Sequence, residues 1–360
     1  MSRFLQLHLL TFFPPANLNR DDTGRPKTAV VGGATRLRLS SQALKRAWRT
    51  SDIFAAALAD HMGQRTQRLG EDVLAHLRAG GMAEDKALTT ARAIAGVFGK
   101  IKDVKDSNPT RIEQLAFIAP EERAAALALA DRALAGEKVD EKTAAEAGLL
   151  RRADTAADIA LFGRMLAADP DYNREAAAQV AHAITTHRVA VEDDYYTAVD
   201  DLKRPSEDAG AGFLGEAAFG SGVFYLYLCV DRALLARNLG GDEALAATTI
   251  GALVEAAATA APRGKQNSFA AHGRAGYVLA ERGDRQPRTL AGAFARPVEP
   301  GEDPGLEGPG GGGIMGASIL RLRGFRAGLD KAYGAAAEAS AEMEVGNEGT
   351  LAEIIAFARG

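Results

Sequence analysis

The sequence predicts an α+β fold, and three observations carry that reading. Alternating or β-branched runs open the chain and return after residue 179, the clearest being residues 223–230 (VFYLYLCV). Between them, residues 60–179 are alanine-rich segments with helical spacing, separated by breakers such as Gly80, Gly81, Pro109, Pro120, Gly136, Gly148 and Pro170. The apolar content is mainly alanine and leucine with only 6% aromatic residues, which favours helix over most of the length.

In chain order, residues 3–12 (RFLQLHLLTF) set Leu5, Leu7 and Leu9 on one side and Gln6 and His8 on the other, a strand that Pro14 and Pro15 end. A loop marked by Gly24, Pro26, Gly32 and Gly33 runs to Thr35. Residues 36–39 are a short extended piece, and Ser40 or Ser41 caps a helix over residues 42–59. Residues 121–134 and 155–167 read as helices, with Leu127, Leu134, Ile159, Phe162 and Leu166 turned inward. Residues 179–191 read as a strand. The connection that follows, residues 192–222, is too long to be idle in a compact domain; it carries Tyr195, Tyr196, Asp200, Asp201, Lys203, Arg204 and a glycine-rich run. After the strand 223–230 come a helix over 242–261 closed by Pro262, a polar loop over 264–272 and a strand over 276–280. A Pro/Gly/acid-rich linker over 296–313 precedes closing helices at 314–333 and 351–359. With the helical insertion and the long connection set aside, the order is strand, helix, strand, strand, helix, strand. That is the order of ferredoxin-like and RNA-recognition folds.

Several classes are disfavoured. The single cysteine, Cys229, excludes an internal disulfide and fits a reducing cytoplasm; its place in a strand makes it a core residue. Residues 1–13 lack the pattern of a secretory signal, and no apolar run approaches the roughly 20 residues of a spanning helix. His182 and His187 are five residues apart, without the spacing of a helical zinc pair, and read as structural. There is no P-loop, no G-x-S-x-G and no C-x-x-C. Gly308 and Gly310 to Gly313 form a spacer without the Lys-Ser/Thr that a phosphate loop needs. Asp21 and Asp22 suit either a metal-dependent cut of RNA or local pairing with Arg20 and Arg25, and pairing is the leading reading.

The formal charge of −4 argues against indiscriminate nucleic-acid binding but leaves room for a local basic groove. Residues 20–49 provide one: Arg20, Arg25, Lys27, Arg36, Arg38, Lys45, Arg46 and Arg49 face only Asp21 and Asp22, a net of +6. Lys45, Arg46 and Arg49 fall in the opening turns of the predicted helix, where the macrodipole favours anions, so an external anion is expected. Serine hydroxyls, free N–H groups and converging cations form a phosphate cradle. Tyr195 and Tyr196 in a long connection suit base stacking. Met165, beside Arg164 on a helix, is core filler or an apolar wedge.

The motifs LNRDD (residues 18–22), GG-x-x-R-x-R-x-SSQ-x-LKRA-x-R (32–49), DIAL-x-GRM (158–165), HAITTH (182–187), D-Y-Y-TAVDDL (194–202) and SGVFY (221–225) occur in that order. Together they resemble the CasC family, the backbone subunit of the type I-E CRISPR Cascade complex, over residues 1 to about 271. The resemblance implies an RNA-recognition-like palm (1–59, 180–190 and 223–360), a helical fingers insertion (60–179) and a long β-hairpin thumb (191–222). It implies a non-catalytic subunit without metal or cofactor, polymerised head to tail along a CRISPR guide RNA. The guide is kinked at intervals so that its bases pair with target DNA. Implied partners are the guide, target DNA through it, further copies of the chain, and the large, small, 5′-handle-binding and 3′-hairpin-binding subunits; no membrane is involved. Arg20, Lys27, Ser40, Gln42, Lys45 and Arg49 are implied at guide phosphates with Arg46 beside them, and Arg164 falls in the GRM motif. Met165, Tyr196 and Leu214 are implied at the kinked nucleotide. Lys265, Gln266 and Asn267 match a palm loop near the RNA. Tyr195 and Tyr196 stand where the family has a tryptophan–phenylalanine-like pair, and the linker over 296–313 departs from the family pattern.

Overall fold

The computed structural model describes residues 2–166, 169–198, 213–302 and 313–360. These residues divide into two compact units. The first comprises Met1–Phe54, Val180–Cys229 and Ile250–Gly360, and the second Ala55–Gln179 and Val230–Thr249.

The chain opens with β1 (Phe4–Ala16), β2 (Thr28–Val31), β3 (Ala34–Leu39), α1 (Ser41–Arg49) and α2 (Asp52–Ala57). Next come β4 (Gln64–Thr66), α3 (Leu69–Ala79), α4 (Glu84–Gly96), β5 (Ala116–Ile118), α5 (Pro120–Leu134), α6 (Glu141–Glu146) and α7 (Ala157–Phe162). Then follow β6 (Ala178–Val180), β7 (Ala183–Thr185), β8 (Glu192–Ala198), β9 (Phe213–Asp231), α8 (Arg232–Asn238), α9 (Glu243–Thr259) and α10 (Gln266–Phe269). The last elements are β10 (Ala275–Gly283), α11 (Gly313–Tyr333), β11 (Ala339–Glu344) and α12 (Leu351–Arg359). The chain is thus mixed α+β. Among the described residues, no helix is long and apolar enough to cross a membrane.

The first unit is built on a sheet ordered β11-β10-β1-β9-β7-β3-β2. β1 pairs antiparallel with β10 from Phe4↔Gly283 to Leu10↔Tyr277, after which the register shifts. The strand nevertheless continues through Pro14 and Pro15 to Ala16. Both prolines lie beyond the last β10 partner, so they remove no bond from that ladder. Residues 28–31, expected as loop, form β2: Gly32 and Gly33 both have positive φ (59° and 71°), which makes the tight two-residue turn of a hairpin. Residues 179–191 are not one strand but β6 and β7 with a break between them. β11 was not anticipated; its ASAEME sequence carries little β propensity.

One face of this sheet buries Leu10, Tyr225, Tyr277 and Leu279 against Leu290, Phe294 and, from α11, Ile319 and Leu322. Each such apolar side chain contributes on the order of 1.5–3 kcal/mol. Beside this cluster runs a buried ionic chain. His8 lies between the Tyr225 hydroxyl (Nδ1, 2.9 Å) and Glu281 (Nε2, 3.3 Å), and stacks on Tyr227 at 5.0 Å. Arg288 and Arg326 both reach Glu281, at 2.7 and 2.8 Å, and Arg326 and Arg323 reach Glu342 at 3.2 and 2.8 Å. Burial raises the Glu281 carboxyl, but the hydrogen bonds from His8 and Arg288 outweigh it and bring it down to about 2. Burial lowers the His8 pKa and outweighs the hydrogen bond and charge of Glu281, which raise it.

The second unit is largely helical, its core formed by residues such as Val73, Leu77, Ile94, Ile118 and Leu129. β4 and β5 pair antiparallel within it. The stretch Val230–Thr249 belongs here rather than with the C-terminal part of the chain, because Asn238 ties α8 in. Its Nδ2 donates to the Ala160 and Glu175 carbonyls (3.1 and 2.9 Å), and its own carbonyl accepts from Arg174 at 2.9 Å. The helix expected over 155–167 spans only Ala157–Phe162, because Gly163 with φ 79° closes it.

Candidate nucleic-acid interface

The basic stretch folds into two limbs of the first unit, joined through the Asn19 side chain. The first limb is the loop over residues 18–27. Asp21 builds it: its Oδ1 accepts the Thr23 hydroxyl (2.7 Å) and the main-chain N–H groups of Thr23 (2.9 Å) and Arg25 (3.0 Å). The Thr23 hydroxyl foremost holds the Asp21 carboxyl below its ordinary range. The second limb is α1, capped by Ser40, whose hydroxyl accepts from Ala43 N–H. Asn19 joins the limbs. Its Oδ1 accepts the Ser40 N–H at 2.8 Å, while its carbonyl accepts the Lys27 N–H at 2.8 Å. Arg20 and Lys27 are thereby brought beside the start of α1.

α1 is shorter than expected. It ends at Arg49, and Thr50 and Ser51 separate it from α2; the Ser51 hydroxyl donates to the Trp48 carbonyl (2.7 Å) and accepts the Phe54 N–H (3.3 Å). Arg46 and Arg49 therefore sit in the last turn, where the macrodipole favours cations. The expected electrostatic mismatch at the helix start is not present. Leu44 and Trp48 anchor the helix inside, leaving Gln42 and Arg46 exposed and Lys45 and Arg49 half-buried. Burial lowers the Lys45 ammonium from its ordinary value.

Not every cation of the stretch faces outward. Arg36 is fully buried and donates to the Thr185 and Phe294 carbonyls at 2.8 and 3.1 Å, with burial lowering its pKa. Arg38 contacts His182 Nδ1 at 2.9 Å, and Arg25 pairs with Asp193 on β8 at 2.6 Å. Ser40, 6% exposed, is a helix cap before it is anything else. His187 is structural: Nδ1 donates to the Arg188 carbonyl (2.8 Å) and Nε2 accepts from Val223 N–H (3.2 Å). Cys229 is buried. Among the described residues no group of side chains is arranged to hold a metal ion.

The polar stretch over 264–272, expected as loop, contains α10: Lys265 is its N-cap and Gln266 and Asn267 its first residues, and the chain before it contacts the first limb through Gly264. A side chain at Gly264 would strike the main-chain oxygens of Leu18 and Asn17. Lys265 and Ala270, at the ends of α10, both adopt left-handed backbone (φ 50° and 49°), a strain of roughly 1–2 kcal/mol each.

Tyr195 and Tyr196 lie on a strand, not in an irregular connection. β8 pairs antiparallel with the start of β9, Tyr195 opposite Glu216, Tyr196 opposite Gly215 and Thr197 opposite Leu214. Facing residues share a side of the pleat. Tyr195 and Leu214 therefore share one face, 61% and 58% exposed, and Tyr196 is on the other. The expectation that Tyr196 and Leu214 act together against one nucleotide is at odds with this register. β9 itself runs unbroken for 19 residues, so the hairpin strand and the central strand of the sheet are one element. Asp200, Asp201, Lys203 and Arg204 lie outside the described residues, as does most of the linker over 296–313, including Gly308 and Gly310 to Gly312.

In the second unit, Arg164 is not a surface cation. It is buried, pairs with the equally buried Glu122 at 2.6 Å, and donates to the Phe117, Arg151 and Tyr172 carbonyls. Met165 is not helical, and is 80% exposed. It is held between the anchored Arg164 and the buried Leu166, whose N–H donates to Asn173 Oδ1 at 2.6 Å. An apolar side chain is thus presented on a fixed backbone.

Sequence reasoning did not find Asn19 as the link between the limbs, although the LNRDD motif contains it. It did not find Arg263 and His272 either, which flank the Lys265 loop and face a groove with it.

A family model described as CT1975-like protein matches residues 5–355. A chain of a solved assembly described as a CRISPR RNA-guided surveillance complex, pre-nicking, matches with a TM-score of 0.82 at 28% identity, over 99% of this chain and 100% of that one. A chain of another CRISPR RNA-guided surveillance complex matches with a TM-score of 0.71 at 25% identity, over 97% of this chain and 94% of that one. Among curated proteins, none matches.

Proposed function

The chain belongs to the CT1975-like protein family, and on that premise we propose that it is the guide-RNA-binding backbone subunit of a type I-E CRISPR surveillance complex. In this reading the chain has no catalytic role. Copies of it polymerise head to tail along the guide, kink it at intervals, and leave the intervening bases free to pair with one strand of invading DNA. The other partners are the large, small, 5′-handle-binding and 3′-hairpin-binding subunits, in the cytoplasm. A heterologous contact that does not close generates such an open helix.

Structural likeness to subunits of RNA-guided assemblies over nearly the whole chain supports the reading. So does the strand order β10-β1-β9-β7, which is that of a ferredoxin-like or RNA-recognition palm. Residues 60–179 then correspond to the fingers and the β8–β9 hairpin to the thumb. The observation that carries the proposal is the Asn19–Ser40 bond, which joins the loop bearing Arg20 and Lys27 to the N-cap of the helix that bears Gln42, Lys45, Arg46 and Arg49. Such a surface suits phosphates rather than bases, as a protein that accepts any guide requires. Tyr195 and Leu214, sharing one exposed face of the hairpin, offer apolar contacts for a displaced nucleotide in this reading.

The competing reading, a metal-dependent ribonuclease using Asp21 or Asp22, gains little from the geometry, since Asp21 is engaged in its own turn. The test is purification from the native host followed by incubation with guide, complementary RNA and magnesium. The proposal expects co-purifying RNA of defined length and no cleavage. A periodic ladder lost in Asp22→Ala would overturn it in favour of the nuclease.

A further inference from the structure

The loop over residues 18–27 is fastened to the hairpin at a single rung. Asn17, which follows β1 directly and is 2% exposed, donates its Nδ2 to the Gly24 carbonyl at 2.9 Å and to the Ala218 carbonyl on β9 at 2.8 Å. Both acceptors are carbonyls, so the amide nitrogen has to face them. Next along the chain, Arg25 forks onto Asp193 on β8, Nη1 to Oδ1 at 2.6 Å and Nη2 to Oδ2 at 3.2 Å. Asp193 and Ala218 are cross-strand partners in the β8–β9 ladder. Links from two neighbouring loop residues therefore end on one pair of the hairpin.

The two links do different work. An ion pair whose side chains are both about half exposed adds little stability by itself, but a bidentate fork fixes direction. Asn17 is buried, and its loss would leave the Ala218 carbonyl without this donor. Asn17 thus holds the loop to the hairpin and Arg25 orients it. The surroundings of Arg25 are acidic: Asp193 foremost holds its guanidinium above the ordinary range, and Asp21 and Glu216 add to this.

Alternate residues of a strand share a side, and so do cross-strand partners. Asp193, Tyr195 and Thr197 therefore lie on one face with Ala218, Glu216 and Leu214. Leu214 stands four residues from the fastened rung, about 13 Å along the strand. The exposed Tyr195 and Leu214 are in this way tied to the loop that bears Arg20 and Lys27.

We infer that Asn17 and Arg25 are positioning residues that lock this loop to the hairpin, and so set where the Tyr195–Leu214 face falls along a bound guide. Arg25 is a strut to Asp193 and not a phosphate contact. This rests on the guide-binding reading, and it gives a role to residues outside the contacts which that reading names.

The test compares the parent with Arg25→Ala, Asp193→Ala, the double variant and Asn17→Asp, which keeps the shape but loses the donor. Complexes isolated from the native host are footprinted on their co-purified RNA with hydroxyl radicals. Salt-titrated binding of a homopolymeric uridine RNA to each purified chain is measured beside thermal melts. Arg25→Ala, Asp193→Ala and the double variant are expected to blur the protection pattern to the same extent, since both residues act through one pair. Their melting temperatures and salt slopes should match the parent. Asn17→Asp should blur the pattern as well, with a lower melting temperature. For single strands each phosphate contact is worth about 0.7 in the slope of log K against log salt. A slope flattened by that amount in Arg25→Ala, with a parental pattern in Asp193→Ala, makes Arg25 a phosphate contact and overturns the strut. A parental pattern in every variant also overturns it and leaves the guide-binding reading standing. Parent complexes that carry no RNA overturn both.

Discussion

Asn19 Oδ1 accepts the Ser40 N–H at 2.8 Å, and through that bond a turn-rich loop and the cap of a helix 21 residues later become one surface. Asn19→Ala leaves a part-buried N–H without its acceptor, a loss of about 1 kcal/mol. The expected outcome is a folded chain with a melting temperature lower by a few degrees and clearly weaker RNA binding. Asn19→Asp keeps the acceptor and is expected to recover the melting temperature. Calorimetry and RNA titration on the same samples separate the two effects.

In the proposed function, Lys45 and Arg49 carry the α1 side of the grip. Lys45→Ala with Arg49→Ala should weaken binding equally for unrelated RNA sequences and flatten the salt slope by about 1.4, two contacts at the single-strand value. Loss confined to some sequences would contradict phosphate recognition.

The Lys45 ammonium is lowered by burial, which sets a pH signature. Between its folded value and the ordinary 10.5, the unfolded chain holds more protons, so stability rises with pH across that window. RNA binding moves the other way: it needs the charged amine, and should fade at a pH below the ordinary lysine range. Arg in place of Lys45 removes this dependence, as binding measured along an alkaline pH series would report.

Arg164 and Met165 are adjacent and opposite in kind. Removing Arg164 strands the buried Glu122 charge and should destabilise the protein by about 3–5 kcal/mol. Met165→Ala, on an exposed side chain, should change stability by no more than about 0.5 kcal/mol. Its effect is expected in the pattern of guide protection against nuclease. Melts and footprints of the two variants should therefore invert.

The hairpin register makes a further separation. Leu214→Asp and Tyr195→Ala alter one face and should combine non-additively in RNA protection, whereas Tyr196→Ala, on the other face, should add independently. All three are exposed, so the melting temperature is expected to hold. Double-mutant footprints read the coupling directly.

The elements with strong periodicity were legible in the sequence: the leucine alternation of β1, the apolar run inside β9, and the spans of α5, α9, α11 and α12. The chain segments of the candidate site were legible too, because the LNRDD and SSQ-x-LKRA motifs hold their chemistry locally. What was not legible depends on partners remote in sequence. Arg164 reads as a surface cation until Glu122, 42 residues earlier, is found beside it in the core. Arg36 alternates correctly for a strand, but its inward position follows from carbonyls at Thr185 and Phe294. The helix break after Arg49 turns on Ser51 bonding both ways across it, and no propensity marks that.

β9 has a mechanical consequence. At about 3.3 Å per residue, its 19 residues reach at most roughly 60 Å along the strand, from the hairpin into the sheet. Leu214 near one end and Tyr225, Tyr227 and Cys229 near the other belong to the same rod. Load applied to the hairpin is carried as shear along the ladders that clamp the rod, rather than absorbed by a bending loop. The hairpin acts as a cantilever rooted in the most buried strands of the chain.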